Sequence, residues 1–230
     1  RQDVNISIKG GARVEIKGFQ DPRIMIETVE KEISRQQNIL KLKSKLSNFN
    51  ASKLKDLSDV FKETESSLIE KSLKKGEKVY GFKVKNFAGI LGEELQQDKR
   101  VATDFSDYAK PVAKIGGIIH SDENLNKYPL LDFEIDKIKK LLEIEKKDAF
   151  ILIVSSKDKS EIAREQIINR AKLLSLGVPK EVRQSNPDGT TSFLRPMPGA
   201  ARMYPETDLP LLKIPKKEID WAKNNLPKLA

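Results

Sequence analysis

The sequence predicts an α+β fold in which a β-rich region is interrupted by a compact α+β unit. Apolar residues alternate over residues 3–17, which is typical of a β-hairpin with one buried face. Strands and helices then alternate over about residues 77–185, as in a compact α+β unit. The stretch 195–210 contains four prolines and a glycine, which exclude a regular helix or a central strand. Its large apolar residues indicate a packed loop, either a structural corner over a sheet or a functional loop.

The composition limits the class of protein. A chain of 230 residues holds one large domain or two small ones. Its 38% apolar residues can form a core, while 33% charged residues make the surface strongly polar. The net charge of +9 favours a polyanionic partner, with nucleic acid as the first candidate. A lysine-rich composition of the thermophilic kind explains the charge equally well.

Residue counts exclude several kinds of site. With no cysteine and one histidine, the chain has no disulfide, thiol nucleophile, cysteine-bound zinc or two-histidine metal site. No apolar run approaches the roughly 18 residues that span a membrane, and no signal peptide opens the chain. We therefore expect a cytoplasmic protein with no membrane partner. Because the chain begins at Arg1 within a predicted strand, we expect a fragment of a longer protein.

The predicted hairpin has one apolar and one polar face. Pairing Ile8 with Val14 puts both apolar sets on one face and leaves a three-residue loop, 10–12, with glycine for the positive φ. The other face is either an ordinary solvent-exposed face or the lining of a site. It carries six polar residues: Asp3, Asn5, Ser7, Arg13, Glu15 and Lys17.

Two helices are predicted after the hairpin. Asp21 and Pro22 form an N-terminal cap and first helical position, and this helix ends near residues 47–50. Its apolar spacing predicts a core face of five residues: Ile26, Val29, Ile33, Gln37 and Leu40. A second helix is predicted over 51–74, with Gly76 as its stop.

The α+β unit contains three predicted strands and three predicted helices. The strands are 79–86, 115–120 and 149–155, and the last is unbroken apolar sequence that indicates burial on both faces. The segment 87–95 is predicted to be a loop leading into a short helical turn. The helices are 102–110, ended by Pro111, then 133–142 and 159–174, ended by Gly177. A turn at 186–189 and a last helix from 215 or 216 to 225 complete the prediction.

Candidate site residues are few. No phosphate-binding glycine loop with the usual spacing is present. His120, with Asp122 nearby, is a candidate base, although a single histidine at a strand end is more often a polar cap. Basic residues near Phe193 and Tyr204 suit RNA phosphates and stacked bases, or they anchor the loop to the sheet. These basic residues are Arg183, Arg195 and Arg202.

Several segments resemble the E subunit (GatE) of archaeal glutamyl-tRNA(Gln) amidotransferases. The opening residues 1–18 resemble that family's core hairpin, and 186–195 with 195–210 resemble its signature. Segments of the α+β unit resemble a domain inserted into this subunit, which is similar to the insert of bacterial-type aspartyl-tRNA synthetases. These segments are 80–95, 107–111, 116–123 and 148–154. The resemblance covers nearly the whole chain.

The resemblance implies a split domain. Residues 1–75 are then one piece of a β-rich, cradle-like catalytic domain, and 76–185 are the insertion domain (GAD-like). Residues 186–230 return to the cradle domain and begin a helical linker. In the family, ATP phosphorylates the glutamate on misacylated tRNA(Gln), and ammonia from the asparaginase-like D subunit displaces the phosphate. Mg²⁺ offsets the developing charge.

The resemblance also limits what this chain should do alone. The family's metal-binding acids and its histidine lie upstream of Arg1, so we expect no ATP, Mg²⁺ or activity in this fragment by itself. We expect a substrate-lining set on the cradle floor: Arg1, Asp3, Asn5, Glu15, Lys17, Arg195, Arg202, Tyr204 and Glu206. A non-catalytic tRNA-binding module and a scaffold for the asparaginase-like D subunit are the alternatives.

Overall fold

The computed structural model describes residues 2–197 and 214–226. Over these residues the chain forms eleven strands: β1 (Gln2–Ile6), β2 (Val14–Phe19), β3 (Asn50–Ala51), β4 (Lys55–Asp56), β5 (Lys78–Lys85), β6 (Glu94–Gln96), β7 (Lys99–Arg100), β8 (Ile119–His120), β9 (Ala149–Ser155), β10 (Glu181–Ser185) and β11 (Thr191–Pro196). It also forms six α-helices: α1 (Met25–Leu46), α2 (Ser67–Lys74), α3 (Val101–Ala113), α4 (Asp132–Leu141), α5 (Lys157–Leu176) and α6 (Lys216–Asn224). The fold is mixed α and β with several small sheets, as predicted. No helix in the described ranges is long and apolar enough to cross a membrane.

The first sheet joins the two ends of the region 2–197. Its order is β1-β2-β10-β11, with β2 and β10 parallel and the other two pairs antiparallel. One face is apolar and packs on the start of α1, where Val29 and Ile33 contact the buried Val14 and Ile16 cluster. The burial of this face against a helix explains the strict alternation of apolar residues in β1 and β2.

The hairpin register differs from the prediction. Val14 pairs with Ile6 rather than with Ile8, so residues 7–13 form a longer loop than the predicted three residues. The tight turn lies earlier, because the amide of Gly11 donates to the carbonyl of Ile8 and Gly10 has φ +77°. The shift is two residues, so the predicted apolar and polar faces are kept.

The second sheet forms the centre of the α+β unit. Its order is β3-β5-β9-β8, and β4 also pairs with β5. Strand β9 is buried on both faces, as its apolar run predicted, because one core lies on each side of the sheet. Helices α3 and α5 belong to the first core, with Phe105 and Ile167 fully buried. Helix α4 belongs to the second core through Ile138.

The predicted core face of α1 is only partly correct. Val29 and Ile33 pack on the first sheet as predicted, but Ile26 is 73% exposed. The buried positions of the helix include four polar residues: Thr28, Glu32, Arg35 and Gln36. These polar side chains face other charged groups of the protein rather than solvent. Periodicity of apolar residues could not locate this face because half of it is not apolar. The predicted start at Asp21 is confirmed, since its carboxylate caps a single 3₁₀ turn that leads into α1.

The predicted helix over 51–74 is also wrong for most of its length. Residues 50–56 form the short strands β3 and β4, a 3₁₀ turn covers Ser58–Phe61, and only α2 is helical. Leu57 and Phe61 are buried in the second core, so their spacing reflects packing of a loop rather than a helix. Pairing with β5 outweighs the local helical preference. Gly76 follows α2 with φ +82°, as its predicted stop requires.

The remaining elements follow the prediction with local differences. Helices α4, α5 and α6 occur where predicted, and Gly177 ends α5. Helix α3 runs past Pro111 to Ala113, because a proline in the last turn removes one terminal hydrogen bond without preventing the helical backbone. Strand β8 keeps only two of six predicted residues. The hairpin β6–β7 replaces the predicted helical turn near residue 95.

The strands of the two sheets change over at other positions than the predicted domain limits at residues 75 and 185. Strands β3 and β4 belong with β5, although they precede residue 76. Strand β10 precedes residue 186 but pairs with β2 in the first sheet. Contacts also divide the chain at Met197, so α6 lies in a second, separate unit.

Candidate functional site

The polar face of the first sheet holds most of the predicted site residues that the structure describes. Asp3 and Asn5 lie on β1, and Glu15 and Lys17 lie on β2, all on the face opposite Val14 and Ile16. The Lys17 ammonium lies 2.6 Å from an Asp3 oxygen and 2.9 Å from a Glu15 oxygen. All three side chains remain partly exposed, so they can contact a ligand that approaches this face.

The two ion pairs keep the Lys17 side chain positively charged. Hydrogen bonds from Lys17 to Asp3 and to Glu15 raise the pKa of the Lys17 ammonium above its ordinary value. Lys17 is therefore a cation at neutral pH, held between two carboxylates. The three side chains together can bind one cationic or hydrogen-bond-donating group and one anionic group side by side.

Arg195 lies on the same face, but on β11, which is the edge strand at the opposite end of the sheet from β1. It lies opposite Val182 in the β10–β11 pair, and Val182 lies opposite Glu15 in the β2–β10 pair. Residues opposite each other in neighbouring strands project from the same face. The structure thus brings Asp3, Asn5, Glu15, Lys17 and Arg195 to one face. The other predicted members, Arg1, Arg202, Tyr204 and Glu206, lie outside the described residues.

Arg183 does not serve as an exposed phosphate contact, because it points to the opposite, buried side of the sheet. It pairs with Glu181 at 2.6 Å and donates to the Thr191 hydroxyl at 2.8 Å. Phe193 is also used internally, with its ring 4.6 Å from that of Tyr108. Of the predicted RNA contacts within the described residues, only Arg195 lies on the polar face of the first sheet.

Arg183 belongs to a buried charged cluster that the sequence analysis missed. The cluster lies between α1, α3, α5 and the buried face of β10. It contains three arginines and three carboxylates, all buried: Arg35, Arg170, Arg183, Glu32, Asp104 and Glu181. The only local signal in the sequence is the Glu32–Arg35 pair, which is spaced by one helical turn and bonded at 2.8 Å.

Arg170 is the centre of this cluster. Its guanidinium binds both Asp104 oxygens, at 2.6 and 3.0 Å, and both Glu181 oxygens, at 2.5 and 3.1 Å. Burial alone would raise the pKa of both carboxyl groups, but the charge of Arg170 lowers the pKa of each below its ordinary value. Because the positive and negative charges are equal in number and paired with each other, the cluster holds α1, α3, α5 and β10 together rather than binding a charged ligand.

His120 is not arranged as a base activated by Asp122. The Asp122 carboxylate accepts from the Leu91 amide at 2.9 Å and from the Ser121 hydroxyl at 3.1 Å. It is the backbone amide of Asp122, not the carboxylate, that contacts His120 Nδ1, at 3.3 Å. The Asp122 carboxylate is therefore engaged by the loop around it and does not contact the imidazole.

Comparisons with known proteins identify the family of the chain. A family model described as the GatB/GatE catalytic domain matches residues 1–220. The chain belongs to this family.

Its relatives carry a more specific name. The chain is 45% identical to the E subunit of glutamyl-tRNA(Gln) amidotransferase from Methanocaldococcus jannaschii over 233 residues, covering all of this chain and 37% of that protein. The same subunit of Pyrococcus furiosus is 43% identical, with the same coverage. That of Sulfurisphaera tokodaii is 41% identical over 99% of this chain and 37% of its own length. The chain thus spans little more than a third of these relatives.

Proposed function

We propose that this chain is the central part of the E subunit of a glutamyl-tRNA(Gln) amidotransferase. The observation that carries the proposal is the similarity along the whole chain to relatives of that name, at 41–45% identity. The complete enzyme would convert misacylated glutamyl-tRNA(Gln) to glutaminyl-tRNA(Gln) through a phosphorylated intermediate. Its partners would be tRNA(Gln) and the ammonia-producing D subunit, and it would act in the cytoplasm, where translation takes place.

The open polar face would form the floor of the substrate cradle. Lys17 and Arg195 would contact a phosphate or the tRNA acceptor end, while Asp3 and Glu15 hold the Lys17 ammonium in place. Asn5 lies opposite Glu15 and would supply an amide to the same ligand. The proposed set is completed by four further residues: Arg1, Arg202, Tyr204 and Glu206.

ATP and Mg²⁺ would belong to the complete enzyme, where they supply the phosphoryl group and neutralise its charge. Within 2–197 and 214–226, no group of three or more histidine, aspartate or glutamate side chains is placed to hold a metal ion. The magnesium site of the complete enzyme would lie upstream of Arg1, as the resemblance to the family implies.

The domain division is also a proposal. The hydrogen bonding between strands supports an insertion that begins near Asn50, where β3 joins β5, and ends before Glu181, where β10 joins β2. Two pieces of one catalytic domain would then flank it. The limits predicted from the sequence, 76 and 185, give the same order of domains, but their insertion is shorter than the one that the strand pairing supports.

Substitution of Lys17 in the complete enzyme tests the proposed role of the polar face. Lys17→Met removes the cation, so we expect conversion of glutamyl-tRNA(Gln) to fall at least about tenfold, the size of one charge-assisted contact. Lys9→Met on the exposed hairpin loop is the matched control and should keep full activity. Conversion is measured with the D subunit and glutamine, and again with ammonium chloride. A Lys17→Met enzyme with parental activity and parental melting temperature would contradict the assigned role.

A tRNA-binding module without catalysis is the second candidate, and the net charge of +9 favours it. A scaffold that only docks the D subunit is the third. Binding of the D subunit without measurable affinity for tRNA would support the scaffold over both other functions.

A further inference from the structure

Two adjoining cavities lie beside the second sheet, far along the chain from the polar face. One has a volume of about 300 Å³ and a mainly polar lining. The other has a volume of about 410 Å³ and a more apolar lining. Gly116, Gly117, Ile118 and Tyr128 contribute to both, so the two cavities share one wall.

The polar cavity presents hydrogen-bond donors from two elements. Ser106 and Lys110 lie one turn apart on α3, and His120 lies on β8. Ser106 is only 6% exposed as a whole residue, and it lines the cavity. Its hydroxyl can donate one hydrogen bond to a ligand or a water in that cavity.

The imidazole of His120 adds a second buried donor. His120 is 5% exposed, and its Nδ1 accepts a hydrogen bond from the Asp122 amide. The proton of the neutral ring therefore lies on Nε2. The nearest carboxylate oxygen, on Glu123, is 3.7 Å from Nε2, which is too long for a hydrogen bond. Burial lowers the pKa of the imidazole, so the ring stays neutral and keeps this single donor at neutral pH.

Glu123 is the acidic residue of the lining, and its oxygens are already engaged. One accepts from the His120 amide at 3.0 Å and the other from the Tyr128 hydroxyl at 3.2 Å. The Lys110 ammonium lies 3.8 Å from Asp107, which is too long for a hydrogen bond and leaves its donors available. Two neutral donors and one ammonium in a polar cavity match the oxygens of an anion.

The second cavity suits an uncharged, flat group attached to that anion. Apolar surface comes from Leu68, Ile115 and Leu152, and the Tyr128 ring lies at the shared wall. The lining also contains a carboxylate and an ammonium, from Glu77 and Lys114, and the oxygens of Glu77 and Ser155 can bond the edge of a base. An anion in the first cavity joined to a planar body in the second is the shape of a nucleotide.

We propose that this cleft binds one nucleoside monophosphate unit, with its phosphate against Ser106, Lys110 and His120 and its base in the cavity beside Tyr128. The unit is either a free nucleotide or one nucleotide of an RNA chain. The RNA source rests on the proposed function, whereas the free nucleotide does not. The cleft is separate from the polar face of the first sheet, so its ligand does not replace the substrate of that face.

The chain carries its own reporter for this proposal. It contains one histidine, so His120 gives the only imidazole signal in a carbon–proton NMR spectrum of the chain. The four 5′-nucleoside monophosphates and inorganic phosphate are added in turn to the 230-residue chain, and then tRNA(Gln). We expect a saturable shift of the His120 signal with at least one monophosphate, and a weaker one with inorganic phosphate alone. If tRNA shifts the His120 signal in the same way, the ligand of the cleft is a nucleotide of an RNA chain. If tRNA leaves the signal unchanged, the ligand is a free nucleotide.

Gly117→Leu is designed to fill the phosphate end of the cleft. A Cβ atom on Gly117 would lie 3.9 Å from both Lys110 and Ser106, an ordinary contact distance, and the φ of Gly117 is not in the left-handed region. The side chain can therefore enter the cavity with little strain, and the His120 shift should disappear. Lys110→Gln should raise the dissociation constant roughly tenfold, while Lys172→Gln on the exposed side of α5 should not change it.

Two results would overturn the proposal. One is an unchanged His120 signal with every monophosphate at millimolar concentration and with tRNA. The other is a shift that persists undiminished in both Gly117→Leu and Lys110→Gln, since binding would then be elsewhere. Neither result affects the conversion assay on Lys17→Met, so the proposed enzymatic function and this site stand or fall separately.

Discussion

At the scale of single residues, Arg170 holds two buried carboxylates from different elements. It joins Asp104 of α3 to Glu181 of β10 and is fully buried. Arg170→Met leaves two buried carboxylates without their main partner, so we expect the free energy of unfolding to fall by about 3–5 kcal/mol. Urea denaturation at pH 7 measures the change. Lys172→Met, exposed on the same helix, is the control and should change stability by less than about 0.5 kcal/mol.

The same carboxylates predict how stability depends on pH. The pKa values of Asp104 and Glu181 are lower in the folded protein than the values of about 3.9 and 4.3 in an unfolded chain. Their contribution is therefore complete above those unfolded values, and it is lost as pH falls from about 4 towards the lower folded values. We expect unfolding free energies to fall steeply below about pH 4. Asp104→Asn should give a shallower fall, and exposed Asp136→Asn should not. Equal slopes in parent and Asp104→Asn would refute the assignment.

Which residues could be foreseen depends on where their partners lie. The polar face at Asp3, Glu15 and Lys17 was predictable because alternation within a hairpin is a local property. The burial of Glu32 and Arg35 was not predictable, because their further partners lie on β10 and β11. Arg183 resembled a phosphate ligand in sequence for the same reason, since Glu181 neutralises its charge and Thr191 accepts its hydrogen bond only in the folded chain.

At the scale of elements, strand β5 is closely packed around Gly81. A Cβ atom on Gly81 would lie 2.5 Å from a methyl carbon of Leu57 and 3.0 Å from one of Leu152. Gly81→Ala should therefore destabilise the protein by about 1–3 kcal/mol through overpacking. Gly116→Ala is the matched control, because nothing lies within 4 Å of its added methyl group. Thermal unfolding of the two variants should differ clearly, and equal melting temperatures would contradict the packing described for β5.

The elements that could be predicted are those with enough local signal. Strand β9 has seven residues without a charge, and α5 buries Ala163, Ile167, Ala171 and Leu174 at helical spacing and ends at a glycine. The two-residue strands β3, β4 and β7 have almost no signal of their own and exist because a longer partner offers hydrogen bonds. The segment around Leu57 and Phe61 has helical spacing, yet its burial is decided by contact with β5 and α4.

At the scale of the whole molecule, the positive charge lies outside the buried cluster. Three arginines and three carboxylates cancel inside, so the net charge of +9 is carried by the rest of the chain. We expect the chain to bind tRNA(Gln) at low salt and to lose at least about tenfold in affinity between roughly 50 and 200 mM salt, as two or more phosphate contacts require. A second tRNA serves as the control for selectivity. Absence of binding at low salt would count against the RNA interpretation and favour the scaffold.

The separation in sequence between the cluster's members has a consequence for synthesis on the ribosome. Thr191 bonds to Glu32 across 159 positions of the chain. At roughly 5–20 residues per second, a nascent α1 waits on the order of 10–30 s for that partner. During this time Glu32 and Arg35 can bond each other within the helix, because they are spaced by one turn. The polar half of the helix thus stays compatible with water until translation delivers β10 and β11, and an early-emerging segment avoids premature association with neighbouring chains.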